Sequence, residues 1–296
     1  MRYRTLGRTG LNVSEVGFGA WEIGWTHPSE GDEVGRLLNR ALDLGINFID
    51  SSAAYRFSEE LIAKYVGHRR NEFVFATKCG SWRVQQPDGD WVQTIDYSAR
   101  AIAPQIDRSL RRLKTDVIDI VQLHSPSYDA VAEGDGLEGL KKAQAAGKVR
   151  FISLSGDGDV ARKAIEIGEY DTLQCSYNVL QQDRSDIVAA ARERDMGIII
   201  KNPIASAVYA RPRPDDGSAV LWDRAQTLLV PEVGGDLPPA SVALRWLLRD
   251  PDVHTAIVGT TNIDHLEANV SAAEEGDLPE ETLAEIHRRF KAAIPT

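Results

Sequence analysis

A closed parallel (β/α)8 barrel of the TIM-barrel type, filling residues 1–296 as a single domain, is the fold class this sequence predicts, and three observations predict it. Eight short apolar runs alternate with amphipathic stretches of helical period, and the order never reverses. No Gly-x-Gly-x-x-Gly stands on the first strand–helix turn, which takes support from an open doubly wound sheet. The length of 296 residues suits such a barrel, which routinely reaches ~250 residues or more as one domain.

Residues 2–16 alternate around Arg8-Thr-Gly10 and read as an N-terminal β-hairpin. Val16-Gly-Phe-Gly-Ala20 is the first barrel strand, with glycines where backbones approach closely. Pro28–Leu44 is amphipathic, since Val34, Leu37, Leu38, Ala41, Leu42 and Leu44 share a face, and Gly45 ends it. The remaining strands are 47–49, 73–77, 118–123, 149–153, 172–175, 197–201 and 255–258. Helices fall near 58–67, 96–113, 133–147, 157–168, 185–195, 239–249 and 262–275. A C-terminal helix over 279–291 has Glu280 and Glu281 in its first turn and Arg288, Arg289 and Lys291 in its last, as the helix dipole prefers. Two long connections, 81–94 and 204–238, interrupt the repeat; each either shapes a pocket or is a surface excursion.

In a parallel barrel, chemistry belongs at the C-terminal ends of the strands. Asp50 closes one strand and Tyr55 follows on a loop of small residues. Lys78 lies at the exit of the next strand and His124 at the exit of the one after. A free tyrosine, with a pKa of about 10, is a poor acid at neutral pH. A neighbouring ammonium stabilises the phenolate and lowers that value, and a carboxylate beside the lysine keeps it charged. A histidine near the phenol polarises a carbonyl oxygen or passes the proton on. The set suits protonation of a carbonyl oxygen as its carbon accepts a hydride. Singly, these residues read more blandly, as a turn cap, a core aromatic, a solvated lysine and a core histidine. Their joint placement at strand exits outweighs that. No second carboxylate suggests glycoside hydrolysis, and no His/Cys spacing suggests a metal.

Composition narrows the classes further. A net charge of −10 with no basic stripe argues against nucleic acid or an anionic membrane as partner. With 43% apolar residues, the chain buries a large core. The two cysteines, Cys79 and Cys175, allow no disulfide framework and read as buried thiols in a reducing compartment. No run reaches the ~18 apolar residues of a membrane helix, nor does an apolar leader follow Met1. A soluble, cytoplasmic protein is expected. Its oligomeric state is left open.

The chain resembles the aldo-keto reductases along nearly its whole length. The likeness begins at Tyr3-Arg-Thr-Leu-Gly-Arg-Thr-Gly-Leu-Asn-Val-Ser-Glu-Val-Gly-Phe-Gly-Ala-Trp21. It continues through Asp50, Tyr55, Lys78 and His124 and through Leu173-Gln-Cys-Ser-Tyr-Asn178. It ends at Ile257-Val-Gly-Thr-Thr-Asn262 and His265-Leu-Glu-Ala-Asn269. No one of these motifs is specific alone; their order and spacing together are. The resemblance implies a nicotinamide-dependent oxidoreductase that interconverts a carbonyl with its alcohol, using either NADP(H) or NAD(H). Tyr55 would be the general acid, tuned by Lys78 and Asp50, with His124 orienting the carbonyl. It further implies that Trp21 and Trp82 line the substrate pocket. A hydrophobic lid, shared with Trp25, is the competing reading.

On the cofactor side the resemblance assigns Ser153 and Gly156 to the turn beside the nicotinamide and Gln174 to its carboxamide. Tyr177 would stack on the ring, followed by Asn178. Lys201 falls near the pyrophosphate and either pairs with phosphate or sits in solvent. Gly259, Thr260 and Thr261 open a helix whose amides favour phosphate, and Asn269 matches a residue that bonds adenine. Many relatives carry a lysine or arginine just after this strand and another basic residue at the place of His265, for the 2′-phosphate of NADPH. Here the fixed cation is missing, which predicts dual cofactor use or a preference for NADH, since a charge-assisted contact is worth about 1.5–3 kcal/mol. Arg56 replaces a frequent glycine and is either solvated or meets an acidic substrate. Two other functions compete: a cofactor-binding regulatory subunit with vestigial turnover, and a barrel lyase or isomerase without nicotinamide. The intact tetrad opposes the first, and the 174–178 and 259–269 sets oppose the second.

Overall fold

Eight parallel strands close on themselves in the computed structural model, which describes residues 1–293. They are β1 (Val16–Gly19), β2 (Phe48–Asp50), β3 (Val74–Cys79), β4 (Ile118–His124), β5 (Val149–Ser155), β6 (Thr172–Ser176), β7 (Gly197–Lys201) and β8 (Thr255–Gly259). Each pairs with its neighbour in sequence, and β8 returns to β1 through Val258 opposite Phe18 and Gly259 opposite Gly19. The predicted (β/α)8 barrel is the observed fold. Helices fill the outside, and Asp32–Asp43 shows how: Val34, Leu37, Leu38, Ala41 and Leu42 are buried on one face. Gly45, at φ 85°, then turns the chain in the left-handed region that favours glycine.

Side chains alternate across each strand, so every second residue enters the barrel. The lower interior is apolar, built from Phe48, Ala76, Ile120 and Ile199. The hairpin of Tyr3–Thr5 with Asn12–Ser14, as expected for residues 2–16, plugs that end with Leu6, Leu11 and Val13. Arg4 ties it down by donating to the Leu248 and Asp250 carbonyls at 2.5 Å each and to Glu15 at 2.8 Å. Two residues further along β2, β3 and β4 the interior turns polar, with Asp50, Lys78 and Gln122 buried beside Ser153 of β5 and Gln174 of β6. The barrel floor is thus a hydrophobic plug, and its upper layer is polar and carries the site.

The connections depart from expectation in three places. Residues 81–94 form an antiparallel hairpin, Ser81–Gln85 with Trp91–Ile95, with Trp82 opposite Thr94. Its turn signal was present in Pro87-Asp88-Gly89, and Gly89 takes φ 94°. The helix expected over 133–147 runs over Gly136–Ala145, and an unexpected short helix, Tyr128–Ala132, precedes it. The connection 204–238 contains a helix, Ala219–Leu228, packed on the C-terminal helix Glu280–Ala293, whose Ile286 and Phe290 are buried. No helix among the described residues is long and apolar enough to cross a membrane.

Candidate active site

The strand register brings the polar side chains together. Gly19 pairs with Asp50 and Lys78 with Gln122, while His124 pairs with Ser155 and Ser155's level continues to Gln174. Asp50 and Lys78 are each 2% exposed. The Lys78 ammonium donates to the Asp50 carboxylate and, at 2.8 Å, to the Ser51 carbonyl. Asp50 accepts two further bonds on its other oxygen, from Gln122 Nε2 at 2.8 Å and Gln174 Nε2 at 2.9 Å. Ser155 in turn donates to Gln174 Oε1 at 2.8 Å. A buried carboxylate–ammonium pair persists only when its remaining valences are satisfied, and these amides satisfy them.

Tyr55 lies over this pair, with Lys78 Nζ 4.9 Å from its ring centroid and the His124 ring edge-on at 5.6 Å. Burial raises the phenol's pKa; Lys78 opposes that rise, and Asp50 adds to it. The expected lowering by the ammonium is therefore overruled, and the phenol holds its proton at neutral pH. Burial draws the Lys78 ammonium down, but Asp50 and Tyr55 together carry its pKa above the ordinary value. His124 is pushed down to about 3, by burial first and then by the charges of Lys78, Lys201 and Arg83. Its imidazole is neutral, and Nδ1 meets the Ser52 hydroxyl at 3.0 Å.

These groups open onto a cavity of about 700 Å³ lined by Trp21, Asp50, Tyr55, Lys78, His124, Gln174, Lys201 and Gly259 among others. All four tetrad positions and four of the other predicted residues thus share one space. Its far wall is the segment after β7, where Asn202 and the successive residues Ala205, Ser206 and Ala207 take φ near 50°. Such left-handed backbone costs roughly 1–2 kcal/mol per non-glycine residue, a strain that concentrates at functional sites.

Other predicted residues lie away from the cavity wall. Ser153 is one layer deeper, donating to the Thr172 carbonyl at 3.0 Å and accepting from the Thr172 hydroxyl at 2.7 Å. Strand β5 runs two residues past its expected end, so Ser155 lines the cavity in place of Ser153. Gly156 donates its amide to the Gln174 carbonyl at 3.0 Å. Tyr177 packs its ring 5.4 Å from Trp246, and burial raises its pKa to about 12. Asn178 holds the following turn, donating to Gln181 and to the Asn202 carbonyl, at 3.0 Å each.

Lys201 does line the cavity, but it pairs with Asp157 at 3.1 Å. Past Gly259 the helix Ile263–Glu274 is capped internally: Asn262 Oδ1 accepts from the Asp264 amide at 2.7 Å and the His265 amide at 3.4 Å. Thr260 accepts from the Asn262 amide at 3.0 Å. Thr260, Thr261, His265 and Asn269 fall outside the lining. Trp21 is an exposed wall residue stacked edge-on against Trp25 at 5.5 Å, whereas Trp82 sits in the hairpin beyond it. Arg56 is half-buried, its guanidinium stacked 3.9 Å over Trp25.

Sequence reasoning missed Glu22, Ser52, Gln122 and Ser155. Gln122 carried a usable signal, because it lies two residues before His124 on the same strand face. Ser52 and Glu22 carried none, since each is placed by the fold of its loop.

A nicotinamide dinucleotide fits what is present. The cavity lies within the volume range of cofactor pockets, it joins the proton-transfer cluster to the strand end where the capped helix begins, and it offers one buried acceptor, Glu22 Oε2, with no partner. Among the described residues no cluster could hold a metal ion.

Comparison with known proteins agrees. The model of the aldo/keto reductase family matches residues 15–289. L-galactose dehydrogenase of Arabidopsis thaliana is 27% identical, over 96% of this chain and 92% of its own. The NADH-specific methylglyoxal reductase of Escherichia coli K12 is 25% identical, over 92% of this chain and 93% of its own. Among solved structures, the holo form of an aldo-keto reductase from Bacillus halodurans superposes with a TM-score of 0.84 at 28% identity, covering 100% of this chain and 98% of that one. From strand register to family match, the observations converge: this chain belongs to the aldo/keto reductase family and is an NAD(P)-dependent oxidoreductase.

Proposed function

We propose that Tyr55 hands a proton to the carbonyl oxygen of a small aldehyde, ketone or sugar while the carbonyl carbon becomes that of an alcohol. The observation that carries this reading is the buried Asp50–Lys78 pair beneath the Tyr55 ring, open to the cavity on one side. A nicotinamide cofactor, when bound, supplies the hydride. Tyr55 keeps its proton at neutral pH, and burial raises its pKa further, so the proton is in place for transfer to a carbonyl oxygen. Lys78 stays charged through Asp50 and stabilises the phenolate left after transfer.

His124 is neutral. The Ser52 hydroxyl already accepts from the Ala54 amide at 3.1 Å, so it is free to donate to Nδ1, leaving the Nε2 proton to hold the carbonyl oxygen. Trp21 gives the substrate an apolar wall. The relatives named for L-galactose and methylglyoxal support a small, polar carbonyl compound. Two buried free thiols support a cytoplasmic setting, and the net charge of −10 supports the absence of a nucleic-acid partner.

The test is Tyr55→Phe, assayed with a panel of aldehydes and ketones alongside dinucleotide binding. Turnover is expected to fall roughly 10²–10⁴-fold, the range for loss of a general acid, with dinucleotide affinity kept. A variant that retains turnover within about tenfold of wild type would remove Tyr55 from this role.

A further inference from the structure

Glu22 stands in the short turn Glu22–Trp25 that follows β1. It lines the same cavity as the tetrad, and its Oε2 is buried with no hydrogen-bond partner. Because β1 and β8 are neighbours, Glu22 folds back onto the exit of β8. A Cβ built on Gly259 would lie 2.1 Å from Glu22 Oε2 and 2.6 Å from its carboxyl carbon. No side chain at 259 is compatible with Glu22 where it stands. The lysine or arginine that many relatives carry just after this strand would have to displace the Glu22 carboxylate, which occupies its first carbon's space.

A carboxylate oxygen taken from water requires a donor. The cavity's own cations are engaged elsewhere: Lys78 with Asp50 and the Ser51 carbonyl, Lys201 with Asp157, and Arg211 with the Ser206 carbonyl at 3.2 Å. No protein donor meets Glu22 Oε2 in this structure, so a ligand's donor fits there. Its place is also defined. The charge of Glu22 reaches Tyr55, while its carboxylate touches the backbone at Gly259, where the helix-bearing end of the cavity begins. It lies between the proton-transfer cluster and that end. In a dinucleotide that interval is occupied by the ribose attached to the nicotinamide, whose hydroxyls are donors; a phosphate offers no donor and repels a carboxylate.

We propose that Glu22 is the acceptor for the nicotinamide-side ribose hydroxyls, with Gly259 conserving the space in which its carboxylate sits. The proposal rests on the nicotinamide-dependent reading above. Carboxylate–diol pairing of this kind is the chemistry by which other dinucleotide folds hold a ribose, here built from the first and last strands of a barrel.

Tryptophan quenching with NADH, reduced nicotinamide mononucleotide and ADP tests it on wild type, Glu22→Ala, Glu22→Gln and Gly259→Ala. In Glu22→Ala, NADH and the reduced mononucleotide are expected to bind roughly 10- to 100-fold more weakly, the loss of bonds to a charged acceptor, while ADP binding stays within about twofold. Glu22→Gln, which keeps shape and one acceptor, falls between. Gly259→Ala reproduces the loss by displacing the carboxylate, and the double variant with Glu22→Ala is no worse than Glu22→Ala alone, as coupled sites require. Unchanged or tighter binding of NADH and the mononucleotide in Glu22→Ala overturns the proposal. So does an equal loss for ADP, or a change confined to the KM of the carbonyl compound. Failure of wild type to bind any of the three probes would instead overturn the nicotinamide reading on which it rests.

Discussion

Ser52 Oγ and His124 Nδ1 are joined by a 3.0 Å hydrogen bond across the loop that follows β2. That bond fixes the imidazole's orientation and selects which ring nitrogen faces the cavity. Ser52→Ala is expected to lower kcat by about tenfold, close to the ~1.4 kcal/mol of one hydrogen bond, with little change in dinucleotide affinity. Ser52→Thr, which keeps the hydroxyl, restores most of the rate. Steady-state kinetics on both variants, paired with dinucleotide titration, checks this; an unaltered kcat in Ser52→Ala would show that the histidine is held by packing alone.

The depressed basicity of His124 has a consequence for acid stability. Unfolded, a histidine takes up its proton near 6.5; in the folded chain His124 does so only near 3. Between those values the unfolded state holds the extra proton, so stability rises with pH across that window and is lost as pH falls from about 6.5. His124→Gln is expected to flatten the dependence by up to one proton, ~1.4 kcal/mol per pH unit. Urea unfolding of both proteins at several pH values between 4 and 7 measures it, and parallel curves would contradict it.

Removing one partner of the buried Asp50–Lys78 pair strands the other charge. Lys78→Met is expected to destabilise the fold by ~3–5 kcal/mol and to abolish turnover. Adding Asp50→Asn recovers part of the stability without activity. Denaturant midpoints of the single and double variants decide; a single variant as stable as wild type would mean that Gln122 and Gln174 suffice to hold the carboxylate.

Gly259 and the neighbouring Glu22 carboxylate leave no fixed cation for a 2′-phosphate at the end of β8. Parallel titrations should therefore find NADPH bound no more than about a hundredfold more tightly than NADH, ~2.7 kcal/mol. A larger gap would require a phosphate site elsewhere.

Burial raises both thiol pKa values, that of Cys175 to about 12. Neither forms thiolate at neutral pH, and thiolate is the reactive species. A thiol reagent at pH 7.5 is expected to titrate neither cysteine in the folded protein and both after denaturation. Rapid labelling of the native chain would place one of them in a more open site.

The barrel and its four strand-end residues were legible because each rests on a local periodicity: apolar runs end at Asp50, Lys78 and His124, and Tyr55 follows on its loop. What escaped was set by register and by contact between distant segments. Ser155 became a wall residue because the β4–β5 ladder extends to His124 opposite Ser155, and no pattern in residues 149–155 marks where that ladder stops. The lowering expected for Tyr55 failed because burial, invisible to sequence, outweighs the ammonium beside it. Lys201 read as a phosphate partner or a solvated lysine, and the ion pair it makes in this structure is with Asp157, from the loop after β5.

The pairing of β8 with β1 also bears on how the molecule comes into being. Gly19 and Gly259 face each other in the ladder between the first and last barrel strands, yet one leaves the ribosome long before the other. Until the later strand emerges, β1 and β7 present open edges, and unpaired strand edges recruit other chains. Without the last strand the cavity lacks the wall of Ile257, Val258 and Gly259, and Glu22 has nothing to fold against. Competence to bind a ligand is acquired when the last strand enters the barrel, so a dinucleotide can stabilise only closed barrels and offers no help to one still open.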